Sequence, residues 1–319
     1  MAVLVGIDEA GYGPLLGPLV VSSCAFSMPD EMVADDLWDL LKKSVSKHKR
    51  ALGGRLLITD SKKAYTSSSG VKHLRRATLT LLRCLGADVS TIGRLLAALC
   101  PDAVERLAGY AWHSGIDTAE LGADADDVAI AAKVFADDLA RHGMRAVGLR
   151  SRCLDVAYYN RMVDNVRNKA EVLFSQTCTL IQSALDTSGD DLLQVLIDRQ
   201  GGRVHYRRTL LRMFPRMELT ILKESPRTSS YELRDSRRRM RLHFAVGADE
   251  GYLPVSLASM CSKYLRETLM ACLNRYFSQF GADIRPTAGY WEDGLRFVND
   301  LKAHLPHVAY DPDQLIRSR

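Results

Sequence analysis

The chain of 319 residues contains no C-x-x-C pair. Its seven cysteines are odd in number and scattered, which argues against a disulfide framework and against the ligand spacing of a structural zinc site. Cysteines of this kind suit a reducing compartment, as small buried apolar residues. No apolar run approaches the length of a membrane span. Met1 leads straight into an apolar strand, with no basic region and signal-like hydrophobic segment ahead of it. Together these absences predict a soluble, cytoplasmic protein with no membrane partner. Neither sign of charge dominates: the formal net charge is +5, compatible with nucleic acid but not diagnostic of it. A hydrophobic content of 47% is enough for a real core in one large domain or two smaller ones.

The basic residues are unevenly placed. Between Arg199 and Arg241 there are 13 Arg or Lys against 4 Asp or Glu. That stretch is either a solvated basic surface or one that follows a phosphate backbone, and composition does not separate the two.

The most informative stretch is the first, Val3 to Pro18. An apolar run, Val3 to Ile7, ends in the adjacent acids Asp8 and Glu9, followed by Gly11, Tyr12, Gly13 and Gly17 with prolines among them. Alternation puts Val3, Val5 and Ile7 on one face and Leu4, Gly6 and Asp8 on the other. With both faces apolar, the strand is expected to be covered on both sides, leaving Asp8 partly desolvated at its rim. Gly11 and Gly13 allow close approach of a backbone or phosphate. Leu192 to Asp198 repeats the pattern, a buried strand ending in an acid. An acid after an apolar strand is usually the start of a loop; a second one beside Asp8 is what a shared metal site needs.

The stretch Asp8-Glu9-Ala10-Gly11-Tyr12-Gly13-Pro14 resembles the Asp-Glu-Ala-Gly-Arg-Gly-Pro signature of the ribonuclease HII family, with Tyr12 in place of the Arg. Three further stretches follow in the family's order. Asp60-Ser61-Lys62-Lys63, which alone reads as a capped turn with exposed lysines, resembles the family's groove-forming segment, so Ser61 and Lys62 are expected to face nucleic acid. The strand ending at Asp198 resembles the family's Val-Leu-Ile-Asp strand. Ala258 to Glu267 resembles the family's Ala-Ser-Ile-x-Ala-Lys-x-x-Arg-Asp helix, with Lys263 at the basic position and Glu267 in place of the Asp. By itself Lys263 and Glu267 would be an i, i+4 pair on a solvated face.

The resemblance implies a ribonuclease-H-like α/β core, a central mixed sheet flanked by helices, and a metal site of Asp8, Glu9, Asp198 and Glu267. Oxygen ligands of this kind suit Mg²⁺ or Mn²⁺, two ions spanning the scissile phosphodiester. It further implies an endonuclease that leaves 5′-phosphate and 3′-hydroxyl ends on an RNA/DNA hybrid or on ribonucleotide-containing duplex DNA. Gly11, Tyr12, Gly13, Ser61, Lys62, Lys263 and Arg285 are the expected nucleic-acid contacts. Three departures bear on this. Glu267 is a methylene longer than the family residue. Tyr12 replaces an Arg in the loop that reads the ribonucleotide. Arg285, before Pro286-Thr287, replaces a Tyr that stacks on the junction sugar, which implies an exchange of roles between Tyr12 and Arg285. These departures keep open a same-fold nuclease acting on DNA or structured RNA, and a non-catalytic nucleic-acid-binding protein.

The expected organisation is one catalytic domain, 1–305, with a helical insertion near 70–143, a β-hairpin insertion near 207–246 and a loose tail, 306–319. Helices are predicted over Glu31–Lys47, Leu74–Leu85, Ile92–Leu99, Val128–Arg141, Ala157–Leu185 and Asp293–Leu305. The clearest apolar stripe runs from Leu257 to Phe280, with Pro254 and Ser256 at its start. Strands are predicted at Val3–Ile7, Pro18–Ser27, Met144–Arg150, Leu192–Asp198, Met217–Lys223, Ser229–Leu233 and Arg241–Val246.

Overall fold

The computed structural model describes residues 1–50, 52–66, 68–281 and 284–318. Seven strands form the main sheet: β1 (Ala2–Ala10), β2 (Leu19–Met28), β3 (Arg145–Leu154), β4 (Leu192–Asp198), β5 (Glu218–Glu224), β6 (Thr228–Arg234) and β7 (Arg239–Ala245). Their spatial order is β3-β2-β1-β4-β7-β6-β5. β1 and β2 pair antiparallel, as do β2 and β3, whereas β1 runs parallel to β4 and β4 parallel to β7. The sheet is therefore mixed, and helices cover both faces, the α/β arrangement of a central mixed sheet flanked by helices that the resemblance implies. The last strand of the basic stretch, β7, lies directly against β4, and β6 and β5 extend the same sheet outward.

β1 is central because both its faces are apolar. Val3, Val5 and Ile7 enter one core with Val163 of α5 (Val156–Val166) and with Val172, Phe174 and Ile181 of α6 (Lys169–Thr187). Leu4 enters the opposite core, with Leu257, Met260, Leu265 and Leu269 of α8 (Leu253–Ser278). That second core extends into the helical segment through α2 (Lys72–Cys84), α3 (Ile92–Leu99) and α4 (Ala125–Arg141). Two short elements complete the region that matters below: α1 (Ser61–Ala64) and α7 (Ala248–Gly251). No helix among the described residues is long and apolar enough to cross a membrane. All seven cysteines are free.

Three local expectations are overturned. Glu31–Lys47 is not one helix: it holds a 3₁₀ turn at Asp30–Met32, a short helix at Leu37–Leu40 and a strand residue pair at Val45–Ser46. Asp36 explains the break, since its carboxylate accepts the Trp38 N–H at 2.8 Å and starts a new helix. The long helix predicted over Ala157–Leu185 is two helices. Arg167 adopts a left-handed conformation, φ 55°, and Asn168 then caps α6 through its side chain. The tail is docked rather than loose. α9 (Trp291–His304) is followed by α10 (Pro312–Leu315), Leu315 is buried, and Leu16 bridges to Ile316.

The contact between β1 and α8 fixes the rest. An added Cβ on Gly6 would lie 2.1 Å from the Pro254 carbonyl carbon and 2.2 Å from the Val255 nitrogen, so only glycine permits this approach. Gly6→Ala is expected to lower stability by about 1–3 kcal/mol, the usual cost of overpacking. Urea unfolding measures it; a variant as stable as the parent would contradict the closeness of this contact.

Candidate functional site

The β1–β4 register sets the site. Ile7 pairs with Ile197, so Asp8 and Asp198 stand level at the ends of adjacent parallel strands. By alternation they share the α8 face, opposite the one that carries Ile7 and Ile197. Asp8 is only 7% exposed. Its Oδ1 accepts the Glu9 N–H at 2.8 Å. Asp198 Oδ1 accepts the Ala248 N–H at 2.7 Å, which ties the end of β4 to the start of α7. That bond brings Asp249, the next residue, into the group.

The electrostatics identify the members. Burial, then the charges of Glu9 and Asp198, push the Asp8 carboxyl well above its ordinary range. Burial and Asp198 push Glu9 up to about 8. Burial and Asp198 push Asp249 up to about 6. Asp198 is raised by burial, against backbone N–H groups of Ala248, Arg199 and Gly247 that hold it down. Lys62 opposes the accumulated charge, favouring the ionised forms of Glu9, Asp198 and Asp249. It stands on α1, where the Asp60 carboxylate accepts its backbone N–H at 2.7 Å. Lys63 pairs with Glu250 at 2.6 Å and so links α1 to α7 across the same opening.

Three small polar residues of α8 support this arrangement. Ser256, Ser259 and Ser262 recur every third residue and are buried. Ser262 Oγ donates to the Asp8 carbonyl at 3.0 Å and lies 2.8 Å from Ser22 Oγ. Ser259 Oγ donates to Ser61 Oγ at 3.0 Å, so the buried Ser61 side chain anchors α1 rather than facing solvent.

Of the four acids expected from sequence, three come together and one does not. Glu267 lies away from the cluster: it pairs with Lys263 at 2.7 Å and with Arg266 at 3.5 Å. Five residues of helix separate it from Ser262, about 7.5 Å along the axis. Lys263 is turned to that pair and to the ring of Tyr65, 5.0 Å away. Asp249 is the member that sequence reading missed. The signal was its place directly after the Ala245-Val246-Gly247-Ala248 run, where β7 ends beside Asp198.

The other expected contacts are distributed around the turn. Gly11 has φ +89°, and an added Cβ would meet the Pro18 carbonyl at 2.5 Å, so the turn requires glycine there. Gly13 is exposed with open space around it. Tyr12 is partly buried, with Lys169 Nζ 5.3 Å from its ring centre. Arg285 is exposed, and its carbonyl accepts from Arg296 at 3.2 Å. Nothing described joins its side chain to Tyr12, so the exchange of roles between those two residues has no geometric support.

The donor set of Asp8, Glu9, Asp198 and Asp249 is all carboxylate oxygen, which suits a hard divalent cation such as Mg²⁺ or Mn²⁺. Among the described residues, no group of three or more His, Cys, Asp or Glu is drawn together closely enough to hold a metal ion as it stands. The acids are gathered by position and mutual charge, in an open arrangement.

No family model matches the chain. A ribonuclease HII from Gluconobacter oxydans (strain 621H) is 41% identical over 58 residues, 18% of this chain and 28% of that protein. A ribonuclease HII from Methanococcus maripaludis (strain C5) is 44% identical over 48 residues, 15% of this chain and 20% of that protein. Over these short stretches the chain is similar to ribonuclease HII proteins. The matches span less than a third of either relative's length. Among solved structures, ribonuclease HII of Archaeoglobus fulgidus in complex with PCNA is similar at 16% identity. That comparison covers 99% of this chain and 94% of that one, with a TM-score of 0.47.

The raised carboxyls give the chain a pH signature. Each binds its proton more tightly folded than unfolded, so its stabilising contribution is full at low pH and is lost as pH rises through the folded values, about 6 for Asp249 and about 8 for Glu9. Acids held down by ion pairs, such as Asp127 beside Arg76, titrate in a separate and more acidic window. In EDTA, urea unfolding should therefore show stability falling from the ordinary carboxylate range up to about pH 8, the Asp249 part ending near pH 6 and Glu9→Gln flattening the part above it. Stability that rises across this window would contradict the clustering.

Proposed function

We propose that the protein is a metal-dependent endoribonuclease that hydrolyses the RNA strand of RNA/DNA hybrids, or duplex DNA at an embedded ribonucleotide, leaving 5′-phosphate and 3′-hydroxyl ends. One observation carries this reading: Asp8 and Asp198 stand level at the ends of parallel strands, joined by Glu9 and Asp249, directly before the Gly11–Pro14 turn. The ribonuclease HII likeness supports the same class of chemistry.

Asp8, Glu9, Asp198 and Asp249 would hold the cations. When bound, Mg²⁺ or Mn²⁺ supplies Lewis-acid stabilisation of phosphate charge and an activated water, which removes the need for a Ser, Cys or His nucleophile. The chain's own groups then position the substrate. The backbone at Gly13 is open to close approach by a strand. Lys62, exposed at the edge of the acid group, is suited to pair with a phosphate next to the one being cleaved. Buried Ser259 and Ser262 hold α1 and β1 in register, so the carboxylates need little reorganisation. Glu267 takes no part in this reading; its charge is used by Lys263 and Arg266.

The test is cleavage of a labelled duplex carrying one ribonucleotide, beside an RNA/DNA hybrid and an all-DNA control, in Mg²⁺ and in Mn²⁺. Asp249→Asn is expected to lower the rate by on the order of a hundredfold or more, as loss of a positioned group does. Glu267→Gln should stay within about tenfold of the parent, as loss of a group outside the reacting centre. The reverse pattern would return the fourth carboxylate to Glu267. Cleavage of the all-DNA control would redirect the reading to a different nuclease, and duplex binding without any cleavage to a binding protein.

A further inference from the structure

The Gly11–Pro14 turn has a second neighbour besides the carboxylates. A cavity of about 290 Å³ lies on it, with Tyr12, Gly13, Tyr159, Lys169, Trp291 and Arg317 in its wall. Three aromatic rings and two cations line it, and no carboxylate does.

Arg317 reaches this place from the far end of the chain. Its backbone N–H donates to the Leu15 carbonyl at 2.9 Å, next to the Leu16–Ile316 bridge. The side chain is 4% exposed, and its guanidinium carbon lies 3.9 Å from the centre of the Tyr159 ring. Its terminal nitrogens donate to the carbonyls of Gly11 and Tyr12. Its Nε finds no hydrogen-bond partner. No acid pairs with Arg317 among the described ion pairs. Burial lowers its proton affinity; Tyr159, by its charge and a side-chain hydrogen bond, acts the other way, and a second buried cation, Arg266, adds to the lowering. Lys169 adds a third positive charge, exposed at the first turn of α6 and set over Tyr12.

A buried guanidinium without a counter-charge is costly, and carbonyl and ring contacts offset only part of that cost. A second cation and an aromatic wall around an adjacent cavity call for an anionic group with a flat neighbour. We infer that this cavity holds a backbone phosphate of the nucleic-acid strand on which the carboxylates act, with Arg317 and Lys169 as its charge partners. Tyr12, Tyr159 and Trp291 flank the adjoining sugar or base. The assignment rests on the proposed nuclease reading and names a subsite within it. The docked C-terminal segment thereby gains a function, since Arg317 both fixes the two carbonyls of the turn and supplies the cation that Tyr12 does not.

The experiment measures binding rather than cleavage. In the full chain carrying Asp8→Asn, affinity for a fluorescein-labelled RNA/DNA hybrid is followed by anisotropy across a salt series. Each lost phosphate contact lowers the slope of log K against log salt by about 0.9. Lys169→Gln and Arg317→Gln should each reduce the slope, the pair together by about 0.9 since they share one phosphate, with Lys169→Arg restoring the parent slope. Thermal unfolding checks that Arg317→Gln still folds, and exposed Lys169 carries the test alone if it does not. Parent slopes in both variants would overturn the pocket. A protein with intact Asp8 that cleaves hybrid, but whose variants keep the parent slope, retains the nuclease reading and loses the pocket. Shifted slopes without cleavage in that protein retain the pocket and remove the nuclease.

Discussion

Carboxylate charge concentrated at the end of a buried sheet is the condition that the surrounding structure answers. Asp8 and Asp198 cannot be separated, because the β1–β4 register places them side by side. Neither can be solvated freely, because α8 closes over Gly6 and covers that face. What surrounds them opposes the resulting repulsion in small steps. Backbone N–H groups of Glu9 and Ala248 point at carboxylate oxygens, and Lys62 is held at the rim by the capped turn of Asp60. These donors reduce the repulsion without removing it, since Glu9 and Asp249 still titrate far above ordinary carboxylates. A site poised in this way favours whatever brings further positive charge to it.

The same logic separates the two charge groups on α8. Its buried serines at 259 and 262 bond α1 and β1, and Ser256 donates to the Asp249 carbonyl of α7, so that all three hold the acid cluster in place. Beyond them the helix changes partners. Arg266, 1% exposed, donates to the carbonyls of Leu16 and Ala288, and Glu267, whose carboxylate it shares with Lys263, partly neutralises it. Glu267 is thus the counter-ion of a structural arginine that props the glycine turn from beneath. Its extra methylene over aspartate suits that use, because it must reach Lys263 one helical turn back as well as its neighbour.

This division shows which parts of the site could be read from sequence. Asp8 and Asp198 were legible because each follows an apolar run within a stretch that resembles the ribonuclease HII signature; alone, such an acid usually only opens a loop. Ser61 and Lys62 were legible as a capped turn, though not the opposite directions in which their side chains point. Asp249 left little trace: it sits on a four-residue helix with no periodicity, and only the β7–β4 pairing brings it to Asp198. A long amphipathic helix offered a more visible acid at 267, and the choice between them depended on distance along the helix axis. The fold was more legible than its breaks, since apolar spacing continues across Asn168 although Arg167 turns the chain there.

The glycine turn carries this furthest. The sequence places a tyrosine where a cation was expected, and its neighbours along the chain offer no replacement. In the folded chain two cations meet that tyrosine, Lys169 from the start of α6 and Arg317 from the end of the chain. Neither could be foreseen from local pattern, since Lys169 is brought there by the kink at Arg167 and Arg317 by the burial of Leu315. Positive charge is therefore brought to the turn by topology rather than by the residue at position 12. The two requirements of the turn are separable: glycine at position 11 is demanded by backbone approach, whereas the charge at position 12 can be supplied by any segment that the fold delivers to it.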